Sequence, residues 1–401
     1  MINYYTLSSN ERYFESVERK GIGHPDTICD ALAEKMSQLY SKYCYDQFDK
    51  LCHHWFDKVL LIGGESNFSF GKGEITKPYE VHLMGKCVMK INKHEIPLKA
   101  IFQEACKEVF ESSLTDFDVS KYLELYIHVT DYQGPENHYN RYRPKEIDDL
   151  VDLSMDLSLQ ISNDCNICVG YYPLSVCEEA VYKVEQYLNN PVYKIKHPEV
   201  GCDIKVFGRR TNKEIDLLVR LPFVSKYTPS KSFYDLRLNK IKDELITLVS
   251  KINQEYQFKL RINEGDSPEQ AYLTVTGTVA DTGDVGCVGR GNRINGLITP
   301  GKPQSIEAPS GKNPIDHTGK LYSILASDIA KKIYSITGMY NEVYLNSMKH
   351  KKLNDPDAVI VLTEKELTSK NKLLIEKYIQ GCLDDFTELT KNIIFQNKNL
   401  W

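Results

Sequence analysis

The densest chemistry lies between Tyr272 and Lys320. A strand-like segment, Tyr272-Leu-Thr-Val-Thr-Gly-Thr278, leads into Gly283-Asp284-Val285-Gly286-Cys287-Val288-Gly289-Arg290-Gly291-Asn292-Arg293. A glycine every three residues, interleaved with an acid and two arginines, suits a loop that holds phosphate and metal. The arginines can clamp phosphate oxygens, and Asp284 offers a carboxylate to a cation or an amine. The run is neither a GxxxxGK[ST] P-loop nor a GxGxxG fingerprint. Downstream, Ala308-Pro-Ser-Gly-Lys312-Asn-Pro-Ile-Asp316-His317-Thr-Gly-Lys320 sets lysines in Gly/Pro/Ser turns, where a merely solvated role is less usual.

A second run is Glu18-Arg19-Lys20-Gly21-Ile22-Gly23-His24-Pro25-Asp26. The glycines permit a tight turn, and Pro25 suits the first position of a helix. A helix start preceded by glycines and by Arg19 and Lys20 is a natural phosphate site. There His24 can donate to phosphate oxygen, and Asp26 can offer a hard oxygen to Mg²⁺. The plainer reading gives Asp26 to the helix dipole and His24 to turn packing. A third element, Asp203-Ile-Lys205-Val206, alternates so that Asp203 and Lys205 share a strand face. They read there as a weak ion pair, or as a lysine poised over a triphosphate. No nucleophile elbow, HExxH or kinase loop set accompanies them. Glycine loops, cations and isolated carboxylates suit a nucleotide reaction that neutralises charge without abstracting a proton.

These residues need elements to position them. Period-two patterning predicts strands over 79–90, 122–130, 203–208, 214–221 and 272–279. Helical spacing predicts helices over 26–43, 100–111, 174–188, 233–256, 320–337 and 370–395. Strands and helices come in runs without regular alternation, which predicts an α+β fold. Gln133 to Asp149 is polar, with two prolines and a cluster of Tyr139, Arg141, Tyr142 and Arg143; such a segment reads as a lid or as a solvated loop.

The 401 residues allow two to four domain-sized units or one interleaved fold. A net charge of −5 argues against a general nucleic-acid binder. No apolar run is long enough to span a bilayer, and residues 1–5 resemble no signal peptide, so a cytoplasmic protein is expected. The 11 cysteines are then expected reduced; the Cys165/Cys168 pair lacks the second pair that a structural zinc needs.

Glu18 to Asp30, Asn163-Asp164, Val169-Gly-Tyr171, Pro173-Leu-Ser175, Asp203 to Val206 and the block 272–320 together resemble the S-adenosylmethionine synthetase (methionine adenosyltransferase) family in its archaeal form. The resemblance implies an enzyme that joins ATP and methionine, with release and hydrolysis of triphosphate. It implies catalytic roles for His24, Lys205, Arg290 and Lys312. Asp203, Asp284 and Lys320 would join them in binding ATP. Gln133, Asp164, Asp284 and Ala308 would meet methionine, Asp26 would hold Mg²⁺, and Glu65 would serve K⁺. It further implies three similar α+β domains around a pseudo-threefold axis, with segments exchanged between them, approximately 1–150, 151–270 and 271–401. The sheets would pack in a homodimer, or in a tetramer, with active sites between subunits.

The chain departs from the family at Tyr132-Gln133-Gly134-Pro135, where the gating loop reads Gly-Gln-Gly-Ser. It also departs at Ile167-Cys168, at Tyr172 and at Val285. A sibling adenosyltransferase for another thioether or nucleotide is one rival expectation. A non-catalytic ATP-binding regulatory partner is another, opposed by the retained Lys205, Arg290 and Lys312.

Overall fold

Alternating apolar residues give strands that bury one face, and each such face needs helices to cover it. In the computed structural model, which describes residues 2–7, 12–135, 140–264, 270–396 and 400–401, this happens three times. The strands concerned are β1 (Ile2–Thr6), β2 (Phe14–Lys20), β3 (His54–Ile62), β4 (Tyr79–Cys87), β5 (Leu123–Thr130) and β6 (Ile167–Tyr172). They continue with β7 (Lys205–Thr211), β8 (Glu214–Arg220), β9 (Gln257–Ile262), β10 (Val285–Cys287), β11 (Asn341–Asn346) and β12 (Ala358–Thr363). The longer helices are α1 (Pro25–Phe48), α2 (Leu98–Ser113), α3 (Val176–Leu188), α4 (Lys231–Ser250), α5 (Thr318–Thr337), α6 (Ser369–Leu383) and α7 (Phe386–Phe395).

Each main sheet has four strands, in the orders β10-β3-β4-β5, β9-β8-β7-β2 and β1-β12-β11-β6. In each, one edge pair is parallel (β4 with β5, β8 with β9, β12 with β1) and the other two pairs are antiparallel. Helix pairs α1/α2, α3/α4 and α5/α6 cover one face of each sheet and give three separate apolar cores. The strand before each unit's first helix leaves that unit: β2 joins the second sheet, β6 the third and β10 the first. These crossings bring the start of α1 beside β7 and β10.

Several boundaries differ from the sequence reading. The predicted strand 272–279 shrinks to a two-residue pairing at Leu273–Thr274, because the Asp281 carboxylate captures the Val275 and Thr276 amides at 2.7 Å each. The predicted helix 370–395 breaks into α6 and α7 at Asp384 and Asp385, where the Asp385 side chain caps the new start. The predicted helix 233–256 stops at Ser250.

The core around α1 also carries a titratable group. His54 on β3 is fully buried, sits 4.9 Å from Phe56 in a stack, and bridges the Ser37 hydroxyl at 2.6 Å and the Cys52 carbonyl at 3.1 Å. Burial pushes its imidazole down to about 3. In the unfolded chain it protonates below ~6.5. Between those values only the unfolded state takes the proton, so stability is lost as pH falls through that window. Asp30 and Asp203, both pushed up to about 7 by burial, act in the opposite sense, so a difference measurement is needed. His54→Gln should lose less stability than the parent between pH 6.5 and 4, by ~1.4 kcal/mol per pH unit. Parallel curves of unfolding midpoint against pH for the two proteins would refute this.

Candidate active site

Residues 21–24 run close to the backbone before β7: Gly21 N–H donates to Ile204 O at 2.7 Å and Gly23 N–H to Cys202 O at 3.1 Å. A Cβ at either glycine would fall 2.7 Å from that backbone, so close approach rather than turn geometry demands glycine here. His24 then caps α1: its Nδ1 accepts the Asp26 amide at 3.1 Å, and Pro25 opens the helix. Burial, then Lys20, depresses the His24 imidazole to about 3. With Nδ1 occupied as an acceptor, the neutral ring carries its proton on Nε2 and can act as a donor.

Asp26 accepts the Cys287 N–H on Oδ1 at 3.0 Å and the Lys20 ammonium on Oδ2 at 2.7 Å. Burial opposes its ionisation, but the Lys20 and Cys287 hydrogen bonds outweigh that and hold the carboxyl below its usual value. Lys20 also donates to Arg290 O at 2.8 Å. Arg19, expected beside it as a phosphate ligand, is buried instead and bonds Glu185 at 2.6 Å and Gly296 O.

The glycine loop lies along the first turns of α1. Gly286 packs so tightly that a Cβ there would meet Pro25 O at 2.2 Å. Gly286→Ala should therefore push β10 off α1, break the Cys287–Asp26 bond and lower kcat/KM at least tenfold, since small misplacements of catalytic groups are costly. An alanine variant with parental kinetics would contradict this packing. Arg290 projects from the loop, exposed and without a side-chain partner among the described residues. Asp284 is exposed; its Oδ1 accepts the Val285 N–H at 2.9 Å and its carbonyl accepts Gly63 N–H at 2.9 Å. Glu65, also exposed, adjoins this turn through Ser66, whose hydroxyl reaches Asp281 O at 2.7 Å.

Asp203 and Lys205 do not share a strand face, because β7 begins only at Lys205. Asp203 is buried against the next turn and accepts the Val279 N–H at 3.1 Å. Lys205 stays partly exposed, 3.2 Å from Glu18. In strand register Lys205 lies between Lys20 on β2 and Arg220 on β8, a row of three cations at one end of the sheet.

Lys312 and Lys320 are both buried. Lys312 pairs with Asp57 at 2.7 Å and Glu307 at 2.8 Å. Desolvation opposes its charge, but Asp57 and Glu307 outweigh it and hold the ammonium above its usual value. Lys320 is wholly enclosed, with both Glu34 oxygens at 2.9 and 2.7 Å, so its ammonium is committed to the protein. Ala308 faces Gly289: a Cβ on that glycine would be 3.6 Å from the Ala308 Cβ. Thus the Lys312 segment meets the glycine loop.

Gln133 is exposed and accepts the Arg141 N–H at 3.0 Å. Arg141 reaches the buried Asp316 at 2.5 Å, Arg143 bonds Asp131 at 2.7 Å, and Tyr142 is buried beside Trp55. Residues 136–139, Tyr139 of the aromatic cluster included, lie outside the described residues. Asp164 is exposed near the start of α5, its carbonyl accepting from Ser162 and Ser347 at 2.9 Å each. Among the described residues no three His, Cys, Asp or Glu side chains converge on a metal position.

Sequence reasoning passed over Asp57 and Glu34, which hold the two lysines. Glu34 had a readable signal: Asp26, Asp30 and Glu34 recur every four residues, so three acids share one buried stripe of α1.

A sequence profile described as S-adenosylmethionine synthetase (AdoMet synthetase) matches residues 2–397. The S-adenosylmethionine synthase of Pyrobaculum aerophilum is 37% identical over 395 residues, covering 96% of this chain and 95% of that protein. A probable S-adenosylmethionine synthase of Aquifex aeolicus is 37% identical over 397 residues, covering 96% and 94%. Among solved structures, an unusual S-adenosylmethionine synthetase from Campylobacter jejuni shares the fold with a TM-score of 0.57 at 14% identity, covering 95% of this chain and 89% of that one.

Proposed function

The chain belongs to the S-adenosylmethionine synthetase family, and from that premise we propose how it acts as a methionine adenosyltransferase, forming S-adenosylmethionine from ATP and L-methionine. The observation that supports this reading is the meeting of the α1 start with the glycine loop: Asp26, two residues after the His24 cap, bonds the Cys287 N–H and the Lys20 ammonium, and Lys20 in turn bonds Arg290 O.

The thioether sulfur attacks C5′, the S–C5′ bond forms, and the C5′–O bond breaks with its electron pair leaving on the triphosphate. Methionine sulfur carries no proton, so no general base is required. The work falls on orientation and on the leaving group's negative charge. His24 Nε2–H donates to a phosphate oxygen, while Lys205, Arg290 and Lys312 supply positive charge. The same cradle then holds triphosphate during its hydrolysis to phosphate and pyrophosphate. Asp26 fits a Mg²⁺ ion that arrives with ATP, because such ions take one or two protein carboxylates and complete their shell with phosphate and water. When bound, that ion neutralises triphosphate charge. Glu65, a single exposed carboxylate, is the proposed contact for K⁺.

We extend the reading to methionine, met by Asp164, Asp284, Ala308 and Gln133, with the segment 132–149 as a lid anchored through Arg141 and Asp316. Hydrogen exchange of that segment should slow when an ATP analogue and methionine are added together; equal exchange with and without them would remove the lid. The three units are proposed to surround a pseudo-threefold axis, a reading supported by their shared strand pattern. The open sheet faces, with Trp55, Met84 and Tyr126 exposed on the first, are proposed to pack against a second copy and to complete the sites. Sedimentation showing only monomers would refute that. A cytoplasmic location is part of the same proposal; no helix among the described residues is long and apolar enough to cross a membrane.

The functional test is to incubate the protein with ATP, Mg²⁺, K⁺ and a panel of thioethers. S-adenosylmethionine formed only with methionine is expected. ADP or AMP as the sole nucleotide product would overturn the reading.

A further inference from the structure

The acidic stripe of α1 does more than present Asp26. Each of its three acids accepts a backbone N–H from a loop that carries a cation: Asp26 from Cys287 at 3.0 Å, Asp30 from Gly289 at 2.9 Å, and Glu34 from Gly311 at 2.9 Å. Asp26 and Asp30, one helical turn apart, meet alternate amides of the glycine loop like rungs, where β10 ends at Cys287 and the chain turns through Gly289. Glu34, one turn further, meets the loop before Lys312. On the other side of Arg290, Lys20 fixes the loop again: Asn292 Oδ1 accepts the Lys20 N–H at 2.9 Å and Asn292 Nδ2 donates to Lys20 O at 2.7 Å. The loop at 289–292 is thus held on both sides while the Arg290 side chain stays exposed, with no partner among the described residues. Gly311, bound to Glu34, immediately precedes Lys312.

We infer that Asp30 is a positioning residue for adenosyl transfer, and that the stripe Asp26-Asp30-Glu34 sets the spacing between Arg290 and Lys312. The inference rests on the functional reading above, and it gives Asp30 no contact with substrate. Asp30 is buried, its Oδ1 is spent on Gly289, and its Oδ2 has no hydrogen-bond partner among the described residues. That oxygen lies beneath Gly291, where a Cβ would come within 2.3 Å. Such an arrangement needs an acceptor at Oδ1, and asparagine supplies one without the charge.

The test compares Asp30→Ala and Asp30→Asn in the full chain, with Asp30→Ser, too short to reach Gly289, in place of alanine if that variant does not fold. Two readouts are taken: amide exchange of a peptide covering 286–292, and the single-turnover rate with ATP and methionine. The alanine or serine variant should exchange at least tenfold faster there and transfer adenosine ten- to a hundredfold more slowly, with the KM for methionine within about twofold of the parent. The asparagine variant should stay within about threefold of the parent in both. Unchanged exchange and rate in the alanine or serine variant would overturn the inference. So would an asparagine variant as impaired as alanine, which would mean that the charge itself is needed. If the parent makes no S-adenosylmethionine, the functional reading fails, while the exchange readout still judges the rungs.

Discussion

Alanine at Arg290 or at Lys205 is expected to slow adenosyl transfer about a hundredfold while leaving methionine binding nearly unchanged. The reason is where charge appears. As the C5′–O bond stretches, negative charge grows on the triphosphate, and a preorganised donor is worth ~3 kcal/mol at that moment. Arg290 costs little to recruit, since its side chain is exposed and unpaired among the described residues. Lys205 must leave Glu18, 3.2 Å away, but side chains 30% and 23% exposed make that pair weak in water. Neither residue is expected to touch methionine, so the KM for methionine should move little. Single-turnover kinetics decide the matter: an unchanged chemical step in both variants would remove them from the mechanism.

Glu34→Gln should be the most destabilising single change near the site. Lys320 is wholly buried, and desolvation already pulls its ammonium below the usual value despite Glu34. Removing the carboxylate bonded to it leaves a buried charge without its counterion, a change that typically costs about 3–5 kcal/mol. Replacing both partners, Glu34→Leu with Lys320→Met, should recover most of that loss. It would still leave the Gly311 N–H unpaired, at ~1–3 kcal/mol. Denaturant midpoints report the comparison, and a Glu34→Gln protein as stable as the parent would contradict the burial and pairing described here.

Much of the local structure was legible because its causes are local. Pro25 after His24 marks the start of α1, and Ser175 three residues before Glu178 marks that of α3, where both halves of a capping box form. Glu214 to Arg220 alternates cleanly and is β8. The errors came from side chains that act at a distance. Asp281 reaches back to take the amides of 275 and 276, so a segment with strand patterning cannot extend its ladder. Asp203 turns toward Val279 before β7 begins, which parts it from Lys205. Arg19 is drawn to Glu185, 166 residues away, and Lys320 to Glu34, 286 away. No periodicity encodes such pairs. The exchange of β2, β6 and β10 between sheets is equally non-local; periodicity offers strands, not partners. At the site, the motif Gly-His-Pro-Asp and the glycine loop, singled out separately in the chain, do come together through Cys287 and Gly286. The four-residue spacing of Asp26, Asp30 and Glu34 was readable, but acids on a helix are usually solvated and only the fold shows these three buried.

The central claim is that ATP is cut between C5′ and its bridging oxygen by a sulfur nucleophile. The direct measurement uses ATP carrying ¹⁸O at that bridging oxygen, with methionine and Mg²⁺, and follows the label by mass spectrometry. The mechanism predicts S-adenosylmethionine without label, with all ¹⁸O in the pyrophosphate and phosphate derived from the triphosphate. Label retained on an adenosine-containing product, as ADP or AMP would show, means cleavage at phosphorus and contradicts the account.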